Sequence, residues 1–301
     1  EYLYLDFSAR NDWSSTLPED NNSFFYPSGS LSFIFTDAFD LQSDILTYGK
    51  LRAAVSQTGF DTNPYRLQAN YNSQDAFGGV PIYSLQNNLP NVSLKPEQKT
   101  SIEFGANLRF LDNRIGLDLT YYDSQTTDQI LSVPTSTASG FNEQVINAGK
   151  ITNKGVEATL NLTPVQKREL QWDMTLNFSK NQNEVVELAE GVDRILLEST
   201  WDVQVVAEPG KEFGTLRGTG FKRNDNGNII VYSQKDGLPA GHPLLGIPKT
   251  TDSPKSFGSY SPDWTGSIYN KFSYQNFELS FLVDIKQGGI LSSTTYMFGR
   301  Y

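Results

Sequence analysis

The sequence predicts an all-β protein, built as a segment of a transmembrane antiparallel β-barrel with long extracellular loops. The first observation is alternation: in residues 170–179 every even position is apolar and every odd position is polar. The second is the length of the alternating stretches, and the third is the order of the links between them. Because a strand sends successive side chains to opposite faces, each stretch predicts a strand with one apolar and one polar face.

Long strands are predicted in order along the whole chain. Most are about twice the ~5–6 residues of a typical soluble strand, and they match the ~9–11 residues that a tilted strand needs to cross a bilayer. The nine predicted strands span residues 2–13, 24–36, 45–58, 99–110, 114–127, 153–163, 170–182, 263–274 and 277–289.

The links between these strands alternate in length. In chain order they are medium, short, long, very short, long, short, very long and very short. The short links include residues 111–113, 164–169 and 275–276, and the long links are residues 59–98, 128–152 and 183–262. Transmembrane barrels pair short periplasmic turns with long extracellular loops, whereas a soluble sandwich has turns every ~8–12 residues.

The longest link carries its own signals. The sequence NDNGN at residues 224–228, ahead of residues 229–232 (IIVY), predicts a hairpin inside the loop. Residues 183–188 either continue the preceding strand or begin a short loop element. The pattern leaves that choice open.

Composition narrows the class of protein. No stretch approaches the ~18 apolar residues of a membrane helix, so a helical membrane protein is excluded. The net charge is −10, so nucleic acid is not an expected partner. There is no Cys, which excludes disulfides and thiolate metal sites.

The two ends indicate an internal piece of something longer. The first residues, EYLY, already follow a strand pattern and lack the features of a signal peptide. The last residues, YMFGRY at 296–301, are not typical of a natural terminal strand.

Several phrases, in a fixed order and spacing, add a family resemblance. They are RNDWSS at 10–15, SFFYPS at 23–28, LRAAVSQTG at 51–59, LKPE at 94–97, NAGKITNKGVE at 147–157, NFSKNQNEV at 177–185, PDWTG at 262–266, YQNFELS at 274–280 and GG at 288–289. This set resembles the C-terminal part of the barrel of SusC/RagA-type TonB-linked outer-membrane transporters of Bacteroidota.

The resemblance implies a barrel of about 22 strands closed around an N-terminal plug. It also implies a SusD-like surface lipoprotein as a lid over the loops, and TonB acting on the plug. Residues 1–301 are then expected to be the C-terminal portion of the barrel. The plug, the TonB-contacting segment and the N-terminal strands are expected to lie outside this chain.

The predicted function is TonB-dependent active import of an oligomeric nutrient, an oligosaccharide or a peptide, across the outer membrane. One alternative is a passive porin-like channel. Another is a soluble β-sandwich binding module, which the long strands and asymmetric links disfavour.

The strand faces receive separate predictions. Leu119 and Leu176 are expected to face lipid at mid-depth. Trp13, Trp172, Trp264, Tyr121 and Tyr122 lie near strand ends and are expected in the aromatic belt at the lipid–water boundary. The polar face is expected to line a lumen, with charges that either pack in water against a plug or steer the substrate. These charged residues are Glu103, Arg109, Asp118, Glu157, Asp173, Asp284 and Lys286.

Aromatic residues in the long loops are the candidate contacts for substrate or lid. Their ring faces could stack on sugar rings or on apolar peptide groups. They could equally pack the loops together, since loops of this length need small cores of their own. The candidates are Tyr65, Tyr71, Phe77, Tyr83, Trp201, Phe213, Phe221 and Tyr232.

Catalytic and metal sites are not predicted. The single histidine, His242, lies in a Gly-His-Pro sequence and has no partners at triad or metal-site spacing, so a turn residue is expected. Residues 224–227 resemble a calcium loop faintly but lack its final glutamate. No cofactor is expected, and the chain is not predicted to be an enzyme.

Overall fold

The structure is a computed structural model and describes residues 1–295. The expectation for residues 296–301 lies outside the described residues. The strands are β1 (Leu3–Trp13), β2 (Ser23–Ile34), β3 (Leu46–Phe60), β4 (Tyr71–Phe77), β5 (Val80–Leu85), β6 (Asn88–Leu89), β7 (Glu97–Phe110), β8 (Ile115–Thr127), β9 (Ile130–Pro134), β10 (Glu143–Asn147), β11 (Lys150–Gln166), β12 (Leu170–Glu187), β13 (Ile195–Thr200), β14 (Val203–Ala207), β15 (Thr215–Gly218), β16 (Lys255–Ser259), β17 (Trp264–Tyr274) and β18 (Phe277–Gln287). One α-helical turn, α1 (Phe35–Ala38), and three 3₁₀ turns (Glu19–Asn21, Thr137–Ser139 and Gln234–Asp236) complete the elements.

All nine predicted long strands are confirmed, and they form one antiparallel sheet. Its order is β1-β2-β3-β7-β8-β11-β12-β17-β18, so each long strand pairs with the next long strand along the chain. Two bounds differ most from the prediction. β12 continues to Glu187, so residues 183–187 extend the preceding strand, and β11 continues to Gln166 through a bulge between Leu162 and Val165.

Very short turns form three of the four links at one end of the sheet, and the fourth, residues 35–45 between β2 and β3, contains α1. Between β7 and β8, Leu111, Asp112 and Asn113 have φ angles of 51°, 53° and 66°, a left-handed conformation that Asn and Asp tolerate better than most residues. The predicted link 164–169 shrinks to residues 167–169, where the Lys167 amide donates to the Leu170 carbonyl at 2.8 Å. Long loops leave the opposite end, as predicted.

Register places residues of like polarity in rows across the sheet. We call the side that carries the apolar residues the apolar face. One row on this face crosses all nine strands through Leu3, Phe33, Leu51, Ala106, Leu119, Ala158, Phe178, Gly266 and Ile285. The adjacent row on the other side, the polar face, contains Tyr4, Ser32, Arg52, Gly105, Thr120, Glu157, Ser179, Thr265 and Lys286.

On the apolar face, the apolar side chains of each strand form a band, which we call the apolar stripe. This stripe runs diagonally across the sheet. It is centred on Gly29 in β2 and on Phe281 in β18, and the rows through these two residues meet β7 at Ile102 and Phe110, about eight residues apart. Seven strand-to-strand steps separate β2 from β18. Adjacent residues are ~3.3 Å apart along a strand and adjacent strands are ~4.8 Å apart. For the stripe to run parallel to the membrane plane, the strands must therefore tilt by about 40° from the barrel axis, within the ~35–45° of barrels.

Three tryptophans support this tilt independently. With strands inclined at ~40°, each residue rises ~2.5 Å perpendicular to the stripe. Trp13 and Trp264 then lie about 12 Å from the stripe centre on the loop side, and Trp172 lies about 11 Å away on the turn side. Both distances match the edges of the ~25 Å apolar band of outer-membrane barrels. The belt prediction for these residues agrees with their positions.

Tyr122 does not fit the belt prediction. It lies on the polar face, where its hydroxyl donates to Asn181 Oδ1 at 3.0 Å. The prediction failed because Tyr121 and Tyr122 are neighbours in one strand and must point to opposite faces. Tyr121 lies on the apolar face but only two residues, about 5 Å, from Leu119 at the stripe centre, so it is too deep for the belt and its belt prediction is wrong as well. A Cβ at Gly155, between Tyr122 and Asn181 in register, would collide with the Tyr122 ring.

No second sheet covers the apolar face within residues 1–295. The long strands contact their sheet neighbours, and large side chains on this face stay exposed, among them Phe7 at 80% and Leu279 at 64%. This arrangement contradicts the β-sandwich alternative, in which two apolar faces pack together. The outer strands β1 and β18 do not pair with each other, so the described sheet is open.

The long loops contain more regular structure than predicted. They form a three-stranded sheet (β6-β10-β9), a four-stranded sheet (β13-β14-β15-β16) and a two-stranded hairpin (β4-β5). The predicted turn at residues 224–228 is present, with the Asn224 side chain accepting from the Asn226 and Asn228 amides at 3.1 and 2.9 Å. The flanking residues form isolated bridges only, such as Arg223 with Ile229. No helix among residues 1–295 is long and apolar enough to cross a bilayer.

Arginine at Leu119 or Leu176 is expected to destabilise the folded protein by ~2–4 kcal/mol. Both residues lie at the stripe centre on the apolar face, where a guanidinium would have to enter hydrocarbon. Asparagine at Thr120 or Thr175, their neighbours on the polar face, should change stability little. The measurement is denaturant unfolding of the full-length protein from lipid vesicles. Equal tolerance of the two faces would contradict the assignment.

Candidate functional site

The buried core lies in the loops, not in the long sheet. One cluster joins strand ends and loop strands from three parts of the chain. Its buried members are Val133, Ile151, Val185, Ile195 and Ala207. Since these residues come from β9, β11, β12, β13 and β14, the cluster fixes the loops after β8 and β12 to each other.

A second buried cluster binds the earlier loops together. Leu17 follows β1, Leu94 precedes β7 and Val145 lies in β10, and all three are buried. Leu67, from the loop after β3, packs against them. The prediction that long loops need small cores of their own is confirmed by these two clusters.

Asn147 connects two of these loops by hydrogen bonds. Its Oδ1 accepts from the Lys95 amide at 2.8 Å, and its Nδ2 donates to the carbonyls of Lys95 at 2.7 Å and Asp128 at 2.9 Å. Nearby, Glu97 Oε1 accepts from the Ile130 amide at 2.9 Å. Two sequence phrases of the resemblance, LKPE and NAGK, therefore meet in space.

The candidate loop aromatics do not form one site. Tyr71, Phe77 and Tyr83 lie on the β4–β5 hairpin, whose turn residues Gly78 and Gly79 have φ angles of 59° and 81°. All three rings are largely exposed. Within residues 1–295, neither buried cluster includes a side chain of this hairpin, and two strands alone are marginally stable in water.

The remaining candidates lie in other units. Phe213 packs against the first buried cluster, so a structural role describes it. Trp201 lies in the turn between β13 and β14 and is 70% exposed. Phe221 and Tyr232 belong to the bridged segment of the longest loop, where Lys249 Nζ lies 5.2 Å from the Tyr232 ring centroid.

Tyr65 borders a cleft of about 400 Å³ between the loops after β1 and β3. Its φ angle of 67° is unusual for an aromatic residue, and its side chain is 77% exposed. The lining contains hydroxyl, amide and apolar groups but no charged side chain. It consists of Ser15, Thr16, Pro64, Tyr65, Leu67, Gln68 and Asn70.

The predicted lumen charges share the polar face, as expected from alternation. The most connected of them is Asp118, which accepts from Arg52 Nη1 at 2.9 Å and Nη2 at 2.5 Å. Arg52 also donates to Thr120 Oγ1 at 2.6 Å, and Asn107 donates to Asp118 at 2.8 Å. The ion pair crosses β7 above Gly105, where a Cβ would collide with Arg52. Sequence reasoning missed Arg52.

No metal-binding group is found among the described residues. No cluster of three or more His, Asp or Glu side chains there has suitable spacing. His242 is a turn residue, as expected, because its Nδ1 accepts from the Leu244 amide at 3.2 Å and its amide donates to the Pro239 carbonyl at 3.1 Å.

The arrangement defines a class of protein: a tilted wall of long antiparallel strands, apolar on one side and polar on the other, with ordered loops at one end. Residues 1–296 match the family described as "TonB dependent receptor-like, beta-barrel", and the chain belongs to this family. Its place is the outer membrane, and its fold is that of the strand-rich barrel.

Relatives support the assignment over nearly the whole chain. TonB-dependent receptor P3 of Formosa agariphila is 27% identical over 99% of this chain, and receptor P26 of the same organism is 30% identical over 96%. TonB-dependent receptor SusC of Bacteroides thetaiotaomicron is 27% identical over 98%. The matches cover 31%, 30% and 32% of those proteins, so the chain spans about a third of their length.

A solved structure has the same fold. The structure of the RagAB peptide transporter matches 94% of this chain and 31% of its own chain, with a TM-score of 0.76 and 23% identity. The resemblance to SusC/RagA-type transporters is thus confirmed.

The four-stranded loop sheet is expected to loosen as the pH falls below ~4.5. Burial alone would raise the pKa of Glu208, but hydrogen bonds and charge from Lys211 and Arg194 hold it below the ordinary value of 4.5. A lowered folded-state pKa stabilises above the unfolded pKa, and this contribution is lost as pH falls through the folded value.

The measurement is hydrogen exchange of residues 195–207 at pH 7 and pH 4, corrected for intrinsic rates. Glu208→Gln should reduce this pH dependence, while Glu198→Gln, at an exposed site, should leave it unchanged. An unaltered pH dependence in Glu208→Gln would contradict the role of this carboxylate.

Proposed function

We propose that this chain forms part of the wall and mouth of a TonB-dependent importer that carries an oligomeric nutrient across the outer membrane. The observation that carries the proposal is family membership over residues 1–296. The diagonal apolar stripe agrees with it, since a tilt of ~40° is the geometry of a closed barrel. The polar face would then line the lumen.

The open sheet edges support a larger barrel. A lipid-facing strand edge leaves backbone groups without hydrogen-bond partners, which hydrocarbon does not tolerate. β1 and β18 must therefore pair with further strands, and we infer a barrel of about 22 strands with a plug inside it. These nine strands would be its C-terminal portion. Energy would reach the cargo through TonB acting on the plug.

Lid binding is the role we assign to the exposed hairpin β4–β5. Its apolar residues project into solvent at the loop end, and a partner that covered them would stabilise the hairpin. A SusD-like surface lipoprotein is the partner we propose. Relatives support this choice, because SusC itself and the RagAB complex are among the matches.

The cleft beside Tyr65 is the proposed cargo contact. An exposed ring next to hydroxyl and amide groups, without a formal charge in the lining, suits an uncharged sugar ring or the backbone of a peptide. The polar-face charges are better explained as solvated packing groups. Asp118 is already neutralised by Arg52, which leaves it unsuited to cargo steering.

Uptake is expected to require a proton-motive force. Cells that carry the full-length gene should accumulate labelled cargo, and an uncoupler should reduce accumulation to the level of cells without the gene. Removal of the TonB-contacting segment from the full-length protein should have the same effect. Uptake that is indifferent to both treatments would favour the passive porin-like channel.

Tyr65→Ala is expected to weaken cargo binding about 2- to 10-fold, since an aromatic stacking contact contributes ~0.5–1.5 kcal/mol. The affinity is measured by calorimetry on the full-length complex. Tyr274→Ala, an exposed aromatic at the turn end of the sheet, is the matched control and should bind normally. Equal affinities of the two variants would remove Tyr65 from the site.

A further inference from the structure

Within residues 1–295, the apolar face carries charged side chains in one region only. Among residues 1–295, the nine long strands place six charged side chains on this face, and all six lie on the neighbouring strands β8, β11 and β12 near their loop ends. They are Asp123, Lys150, Lys154, Lys180, Glu184 and Glu187. The other six long strands have none on this face within their paired residues.

Three of these residues lie close to the apolar stripe. Counted along the tilted strands at ~2.5 Å per residue, Lys180 is about 10 Å and Lys154 about 12 Å from the stripe centre on the loop side. This is the outer edge of a ~25 Å apolar band. Asp123 lies at a similar level, so two positive charges and one negative charge stand at the edge.

The two lysines can reach one ligand. Lys154 in β11 is opposite Gln182 in β12, and Lys180 is two residues from Gln182 in β12. Lys154 and Lys180 are therefore diagonal neighbours, whose backbones are ~7–8 Å apart. Lys154 Nζ lies 3.1 Å from Asp123 Oδ2. Lys180 is exposed, and its long side chain can extend its ammonium towards the headgroup region.

We propose that Lys154 and Lys180 hold the phosphate of an anionic lipid headgroup in the outer leaflet. The site faces lipid, stands at headgroup level and offers two ammonium groups to one phosphate, which suits charge-assisted hydrogen bonds. Val156 lies opposite Lys180 and Tyr121 lies opposite Val156; both are closer to the stripe centre and would contact the acyl chains. The proposal is independent of the cargo and of energy coupling.

The test is lipid binding by the full-length protein, measured by native mass spectrometry with monophosphoryl lipid A and with the same lipid after phosphate removal. Wild type should prefer the phosphorylated lipid about tenfold. Lys154→Gln with Lys180→Gln should lose the preference. Lys50→Gln with Lys286→Gln, the same charge change on the polar face, should keep it.

Asp123→Asn distinguishes phosphate binding by the two lysines from a purely structural role of these lysines. Removing the carboxylate releases Lys154 for phosphate, so the preference for the phosphorylated lipid should rise. A change in gel mobility between unheated and heated samples confirms that each variant is folded. Three results would overturn the proposal: no phosphate preference in wild type, an unchanged preference in the Lys154/Lys180 variant, or equal binding of inorganic phosphate.

Discussion

The whole structure depends on one constraint: an antiparallel sheet whose two faces meet different surroundings. Alternation along each strand makes the faces, and register aligns them across nine strands. Since the apolar stripe drifts by about one residue per strand, the sheet must tilt for the stripe to stay level with a bilayer. Hydrocarbon then takes the place that a packed interior has in a water-soluble protein. This explains why the long sheet itself has almost no buried core.

The loops follow the opposite rule, because they stand in water. They form small sheets and two buried clusters that resemble the interior of an ordinary globular domain. Asn147 adds backbone hydrogen bonds between loops that are far apart in sequence. The loop end of the protein is therefore ordered, and it carries exposed aromatic residues.

The sequence predicted the nine-stranded sheet far better than it predicted the structure of the loops. Alternation over ten or more residues depends only on local spacing, so all nine long strands could be found from it, as could the opposite placement of Glu157 and Val156. The loop sheets depend on pairing between distant segments, such as β6 with β10, which no local pattern reveals. Tyr121 and Tyr122 were both misplaced: they lie in the middle of β8 and not near its end, and alternation puts Tyr122 on the polar face. The role of Arg52 depends on a contact across an intervening strand, and Gly105 is its only local sign.

The loop hydrogen bonds and clusters also constrain how the mouth can move. Asn147 ties the loop before β7 to the loop after β8, and the cluster around Val185 ties that second loop to the longest one. A force applied to any of these segments is thus shared by the others. Opening or closing of this loop end would therefore move the joined loops together as one rigid unit, and not each loop separately.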